Sequence, residues 1–143
     1  MEIHIGVVPL PEPEYNKKTR VTTYDVATIL EEKYGLFSFF VSDNIDTIAS
    51  LITKNIQTSL HRHIQGEAEG TTTLDTAPSE MLGMLKRSLD SQAFDGRIAK
   101  VPTKAALKGF HRLKKPENRY GPPRPSFEDT TTLYQSLRVW AED

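Results

Sequence analysis

Residues 45–64 read Ile45-Asp46-Thr47-Ile48-Ala49-Ser50-Leu51-Ile52-Thr53-Lys54-Asn55-Ile56-Gln57-Thr58-Ser59-Leu60-His61-Arg62-His63-Ile64. Ile45, Ile48, Ile52, Ile56, Leu60 and Ile64 recur at intervals of three or four, with Ala49 and Leu51 beside them. That spacing predicts one long amphipathic helix of about six turns. Ser42 or Asp43 is placed to start it and Gly66 to end it. The face opposite the stripe is mostly Asn, Gln, Ser and Thr, with few charges, which is unusual for a helix surrounded by water.

Upstream of this helix, Ile3, Ile5 and Val7 alternate along residues 3–8 and predict a short strand, which Pro9 and Pro11 end because proline cannot donate to a ladder. Residues 11–20 are polar and irregular. Thr22 or Thr23 can cap a helix carrying Asp25 in its first turn, Val26, Ile29, Leu30 and Tyr34 follow at helical spacing, and Gly35 is a natural stop. Leu36, Phe37, Phe39, Phe40 and Val41 form the most hydrophobic stretch and belong to the core or to a subunit contact.

Downstream, residues 66–76 have no apolar period and read as a flexible loop. Pro78, with Thr76 as cap, opens a helix carrying Met81, Leu82, Leu85 and Leu89, which stops by Gly96. Thr103 can cap a short helix over 104–108 that Gly109 ends. Between 110 and 126, Pro116, Pro122, Pro123 and Pro125 interrupt the chain and basic residues charge it, which predicts an extended basic arm. Leu133, Leu137, Val139 and Trp140 suggest a helical turn followed by a terminal strand. The expected fold is α+β in a single domain over 1–143. Three to four helices surround the long 45–64 helix, and a small antiparallel sheet joins the N- and C-terminal segments, with long loops between.

Composition bounds the chemistry. The chain has 143 residues, 37% hydrophobic and 26% charged, enough for one modest core. The absence of cysteine excludes disulfide scaffolds, thiolate nucleophiles and Cys-based zinc sites. No apolar run approaches the ~20 residues of a membrane span. Met1-Glu2-Ile3-His4-Ile5 lacks the basic start of a signal peptide, so the expectation is a soluble intracellular product without membrane contact.

The net charge of −1 hides an asymmetry. Residues 1–96 carry 8 Lys/Arg against 14 Asp/Glu, residues 97–124 carry 9 against Glu117 alone, and residues 125–143 carry Arg138 against 4 acids. A basic block of that kind concerns partners more than fold. Lys114, Lys115, Arg119 and Arg124 can neutralise phosphates while Phe110 and Tyr120 stack on bases, which makes a nucleic-acid-binding module using 100–124 the alternative function. The other reading is a basic arm docking on an acidic neighbouring subunit, and the charge balance favours it.

Catalytic constellations are thin. His61 and His63 are two apart and point to different sides of a helix, whereas a helical metal pair needs spacing of four and a third ligand. Ser126, His111 and Asp129 can be assembled into a triad on paper, but no Gly-x-Ser-x-Gly elbow accompanies them. Glu31-Glu32 and Glu128-Asp129 are adjacent and diverge on a helix. There is no P-loop and no Gly-x-Gly-x-x-Gly. The expectation is a protein without catalytic residues, metal, cofactor or small-molecule substrate.

The C-terminal third carries a resemblance. Val101-Pro102-Thr103-Lys104-Ala105-Ala106-Leu107-Lys108-Gly109, then His111-Arg112-Leu113-Lys114, then Arg124-Pro125-Ser126-Phe127-Glu128-Asp129-Thr130-Thr131-Thr132-Leu133-Tyr134-Gln135-Ser136-Leu137-Arg138-Val139-Trp140 resembles a family of small tailed-bacteriophage virion proteins described as neck, head–tail connector or tail-completion proteins. The N-terminal half is similar in its short strand, its Thr-capped helix over 22–34 and its long helix. The family's Asp-Thr-Gly is here Asp129-Thr130-Thr131, and threonine disfavours the positive φ that glycine permits. The resemblance implies a structural subunit of a homo-oligomeric ring joining portal to tail. The implied location is the virion and, during assembly, the host cytoplasm. The implied partners are copies of itself, a portal or adaptor protein, a tail terminator or tail-tube protein, and packaged DNA in non-specific contact. Lys114, Lys115, Arg119 and Arg124, with Tyr134 and Trp140, are the candidate contact residues.

Overall fold

The computed structural model describes residues 1–10, 21–67, 74, 76–110, 116–127 and 132–142, and over these the chain is α+β. Strand β1 (Glu2–Val7) pairs antiparallel with β2 (Leu137–Glu142), in register from Glu2↔Glu142 to Val7↔Leu137. The ladder runs one step further, where the Val8 N–H donates to the Ser136 carbonyl at 2.8 Å. Because side chains alternate, Ile3, Ile5, Val7, Leu137 and Val139 pack toward the core, while His4 and Trp140 occupy the other face. A two-stranded sheet is marginal in isolation, and its helix-covered face is what sustains it.

Helix α1 (Thr23–Tyr34) begins where the sequence places it. The Thr22 hydroxyl accepts from the Asp25 N–H, and the Asp25 carboxylate accepts from the Thr22 N–H at 2.8 Å, a reciprocal capping box. Gly35 ends α1 with φ 62° and at once starts α2 (Leu36–Asp43), so the apolar run is helical. The Glu31 carboxylate ties the two together by accepting from the Phe37 N–H at 2.8 Å and from the Ser38 hydroxyl. Asn44 separates α2 from α3 (Ile45–Ile64), whose bounds match the apolar stripe.

Helix α4 (Ala77–Asp90) follows, with Pro78 in its first turn. Thr76 stands at the expected N-cap position, but its side chain makes no cap bond to α4. Asn55 of α3 supplies the cap instead, its Oδ1 accepting from the Thr76 N–H at 3.3 Å. The helix ends at Asp90, and residues 91–100 are turns. Thr103 caps α5 (Lys104–Leu107) by accepting from the Ala106 N–H at 3.1 Å. A 3₁₀ turn (Pro116–Asn118) and α6 (Thr132–Ser136) complete the described elements before β2.

The core is built around α2 and α4. Leu36, Phe40, Leu85 and Leu137 are fully buried, joined by Met81, Leu89, Phe94 and Val101. Burying each such side chain contributes about 1.5–3 kcal/mol. Met81, Leu85 and Leu89 repeat every four residues and give α4 a continuous buried stripe against β2 and α3. On α3, by contrast, Ile48 is the one buried residue. Leu51 and Ile52 are half-buried against the core, and Ile45, Ile56, Leu60 and Ile64 are exposed. The long helix is present as predicted, while the densest packing lies on its neighbours.

Candidate subunit interface

Two of the six candidate contact residues, Lys114 and Lys115, lie outside the described residues, as do His111, Asp129 and Thr131. The described part of the 110–126 segment returns to α5. The Arg124 N–H donates to the Ala106 carbonyl at 3.0 Å, and its guanidinium donates from Nε to the Phe110 carbonyl at 3.0 Å and from Nη1 to the Pro125 carbonyl at 3.0 Å. Gly109, at φ 57°, sits against the Gly121 and Pro122 carbonyl oxygens where a Cβ has no room. Arg124 is thus a clamp on backbone carbonyls that α5 and its loop would otherwise leave to water. Arg119 is half-buried just after the 3₁₀ turn.

Tyr134 on α6 reaches α4. Its hydroxyl donates to Asp90 Oδ2 at 2.9 Å, and Lys86 Nζ stands 4.9 Å from its ring centroid. Trp140, 39% exposed, stacks on His4 with centroids 5.3 Å apart, and its indole N–H donates to Glu142 Oε1 at 2.9 Å. It is the described candidate with its ring on an open face of the sheet. Phe110 and Tyr120, read as base-stacking aromatics, have ring centroids 5.6 Å apart with their planes tilted by 55°. Ser126 is buried, and its Oγ accepts from the Thr103 N–H at 3.1 Å, a fold-holding bond.

The larger apolar surface lies elsewhere. Ile45, Ile56, Leu60 and Ile64 form the open stripe of α3; Leu60 is 50% exposed and Ile64 74%. Beside it, an open groove of about 550 Å³ runs between β1, α2 and α3, with Ile3, Ile5, Phe37, Val41 and Ile52 among its walls. Ile52 belongs to both stripe and groove. A contiguous apolar surface of this kind marks an interaction site more often than a stray exposed leucine does. The period of the stripe was legible in sequence, but which part of it the fold leaves bare was not.

The chain matches no family model, no curated protein and no solved structure. The local charges are held in small devices. The Thr22 backbone N–H and then its hydroxyl, both donating to Asp25, hold that carboxyl below its ordinary range. Arg97 is bound by the Asp43 carboxylate, which holds the guanidinium more firmly protonated and joins the turns after α4 to the end of α2. Among the described residues no cluster of three His, Asp or Glu side chains is arranged to hold a metal ion. Among the same residues no helix is long and apolar enough to cross a membrane.

Proposed function

We propose that this protein is a structural virion subunit of a tailed bacteriophage, forming a ring in the neck or upper tail that joins the capsid portal to the tail. One observation carries the assembly part of this reading: the longest helix presents Ile45, Ile56, Leu60 and Ile64 to solvent while a groove of apolar residues opens beside it. A subunit that buries this surface against a second copy gains what its thin core lacks. In the ring, α3 becomes the central helix, covered on one side by its own α2 and α4 and on the other by a neighbour. The phage part rests on the resemblance of residues 101–109 and 124–140 to neck and tail-completion proteins.

The competing reading, nucleic-acid binding through 100–124, has less support. Arg124 directs Nε and Nη1 to carbonyls of its own chain, and the Phe110 and Tyr120 rings pack on each other at 5.6 Å. Sedimentation of the full-length protein over a wide concentration range tests the proposal. Self-association to a discrete particle is the expected result. A chain that stays monomeric at every concentration and is missing from virions contradicts it. Tight duplex binding that collapses between about 50 and 200 mM salt would favour the nucleic-acid reading instead.

A further inference from the structure

We infer that the open end of the terminal sheet is a proton-operated clasp, in which His4 ties the Glu2 and Glu142 carboxylates together when its imidazole is charged and lets them part when it is neutral. The clasp belongs to the single chain and does not depend on assembly. It follows from the register of the two strands: Glu2 stands directly opposite Glu142, and His4 directly opposite Trp140. Two like charges facing each other across a ladder weaken it, and here they face each other on the last rung.

The imidazole is placed to offset that repulsion. His4 Nε2 lies 3.7 Å from Glu2 Oε2 and 3.6 Å from Glu142 Oε2. The His4 side chain is 36% exposed, yet Nε2 is closed to water and has no hydrogen-bond partner among the described residues. A bare nitrogen lone pair facing two carboxylates is repelled by both, whereas the N–H of an imidazolium attracts both. Trp140 holds the arrangement in place. Its ring stacks on His4 with an interplanar angle of 20°, and its indole N–H fixes the Glu142 carboxylate through Oε1 while Oε2 approaches His4.

Among the described residues no third carboxylate pairs with His4. Arg138 shares this face of the sheet opposite Gly6, but its Nη1 donates to the Gln135 and Leu137 carbonyls. Helix α1 packs on β1 and α4 on β2. Of their charged groups, Asp25 is held by Thr22, Glu31 by Phe37 and Ser38, and Asp90 by Tyr134. Lys33 and Lys86 lie over the Tyr34 and Tyr134 rings, and Glu32, Glu80 and Arg87 form no ion pair with the cluster. Asp143 lies outside the described residues. The two glutamates are 81% and 64% exposed, so water screens the contacts and the effect is local, on the outer rungs rather than on folding. The clasp is closed in mildly acid solution, where histidine is charged and glutamate ionised, and it opens as pH rises through neutrality.

The test is amide hydrogen exchange on the full chain, corrected for intrinsic rates. Between about pH 5 and about pH 8, protection at the His4, Trp140 and Glu142 amides is expected to fall about two- to fivefold, the size of part-exposed ion contacts, while the inner rungs keep theirs. In His4→Gln and in His4→Phe, which retains a ring for Trp140 to rest on, protection at Trp140 and Glu142 should no longer change over this range. The double variant Glu2→Gln, Glu142→Gln should lose the change in protection too, although the emission of Trp140 still follows the charge on His4. Flat protection in the wild type overturns the clasp. A fall that persists in His4→Phe belongs to His61, His63 or His111 and also overturns it, as does one that survives in the double variant.

Discussion

Asn55 of α3 caps α4 by holding Thr76 from 21 positions away: its Nδ2 donates to Thr76 Oγ1 at 2.6 Å, and its Oδ1 accepts from the Thr76 N–H at 3.3 Å. The Ala77 N–H points to the same oxygen at 3.5 Å. The orphan donors at the start of α4 are thus satisfied from a neighbouring helix, and the same bonds fix where α3 and α4 meet. Thr76 makes no side-chain cap of its own because its backbone is in the helical region (φ −113°, ψ −24°) rather than extended.

Asn55→Ala is expected to lower stability by about 1 kcal/mol, the usual loss for a helix cap. Urea unfolding measures it. Asn55→Asp should recover much of the loss, since a carboxylate keeps the acceptor for the Thr76 and Ala77 N–H groups and the Thr76 hydroxyl can turn to donate to it. An unchanged midpoint for Asn55→Ala would show that α4 is capped otherwise.

The capping box of α1 gives a pH dependence with a defined sign. Asp25 titrates below its ordinary 3.8 in the folded chain because Thr22 donates to its charged form. Its stabilisation is therefore fully present above 3.8 and is lost as pH falls through the lower, folded value. Asp25→Asn should flatten the acid limb of a stability–pH curve while changing its slope little near neutrality. A steeper acid limb in the variant would contradict the box.

Trp140 is the single tryptophan and lies over Gly6, where an added Cβ would stand 3.1 Å from Cη2 and 3.3 Å from Cζ3 of its ring. Gly6→Ala should displace the indole from His4 toward water and move its fluorescence to longer wavelength. Gly6→Val should do so further and weaken the β1–β2 pairing. Emission identical to the wild type would mean that the ring does not rest there.

Arg124 is expected to act as a clamp within the chain. Arg124→Lys keeps the charge but lacks the fork that reaches the Phe110 and Pro125 carbonyls, and should cost about 1–2 kcal/mol. Hydrogen exchange at the amide of residue 124, which donates to Ala106, should quicken in parallel. If stability holds and only binding to a partner falls, Arg124 belongs to an outer contact instead.

Local signals were the legible ones. A cap at Thr22 or Thr23 with Asp25 in the first turn, Gly35 as a stop, the apolar stripe of α3, the Thr103 cap and the two terminal strands follow from spacing, capping residues and proline positions. The reciprocal Thr22–Asp25 box does not, and α3 starts after Asn44 rather than at Ser42 or Asp43, which belong to α2. The helix at 36–43 was not legible as such, because Leu36, Phe37, Phe39, Phe40 and Val41 are nearly continuous and show neither period. Nor was the Asn55–Thr76 cap, which depends on two segments meeting in space. The least legible property was which residues of the α3 stripe are covered. Period gives a face, and only the packing of α2 and α4 decides that Ile48 is buried while Leu60 and Ile64 are bare. For the contact candidates, residue type suggested outward roles for Tyr134 and Arg124, and the structure gives both side chains intramolecular partners.

The measurement that bears most directly on the account is the mass and symmetry of the purified protein at high concentration, by native mass spectrometry with electron-microscopic class averages. One closed particle with a single rotational symmetry, built from repeated copies of this chain, is the predicted result. A lone 143-residue species at every concentration, and none of this chain in purified virions, would contradict it.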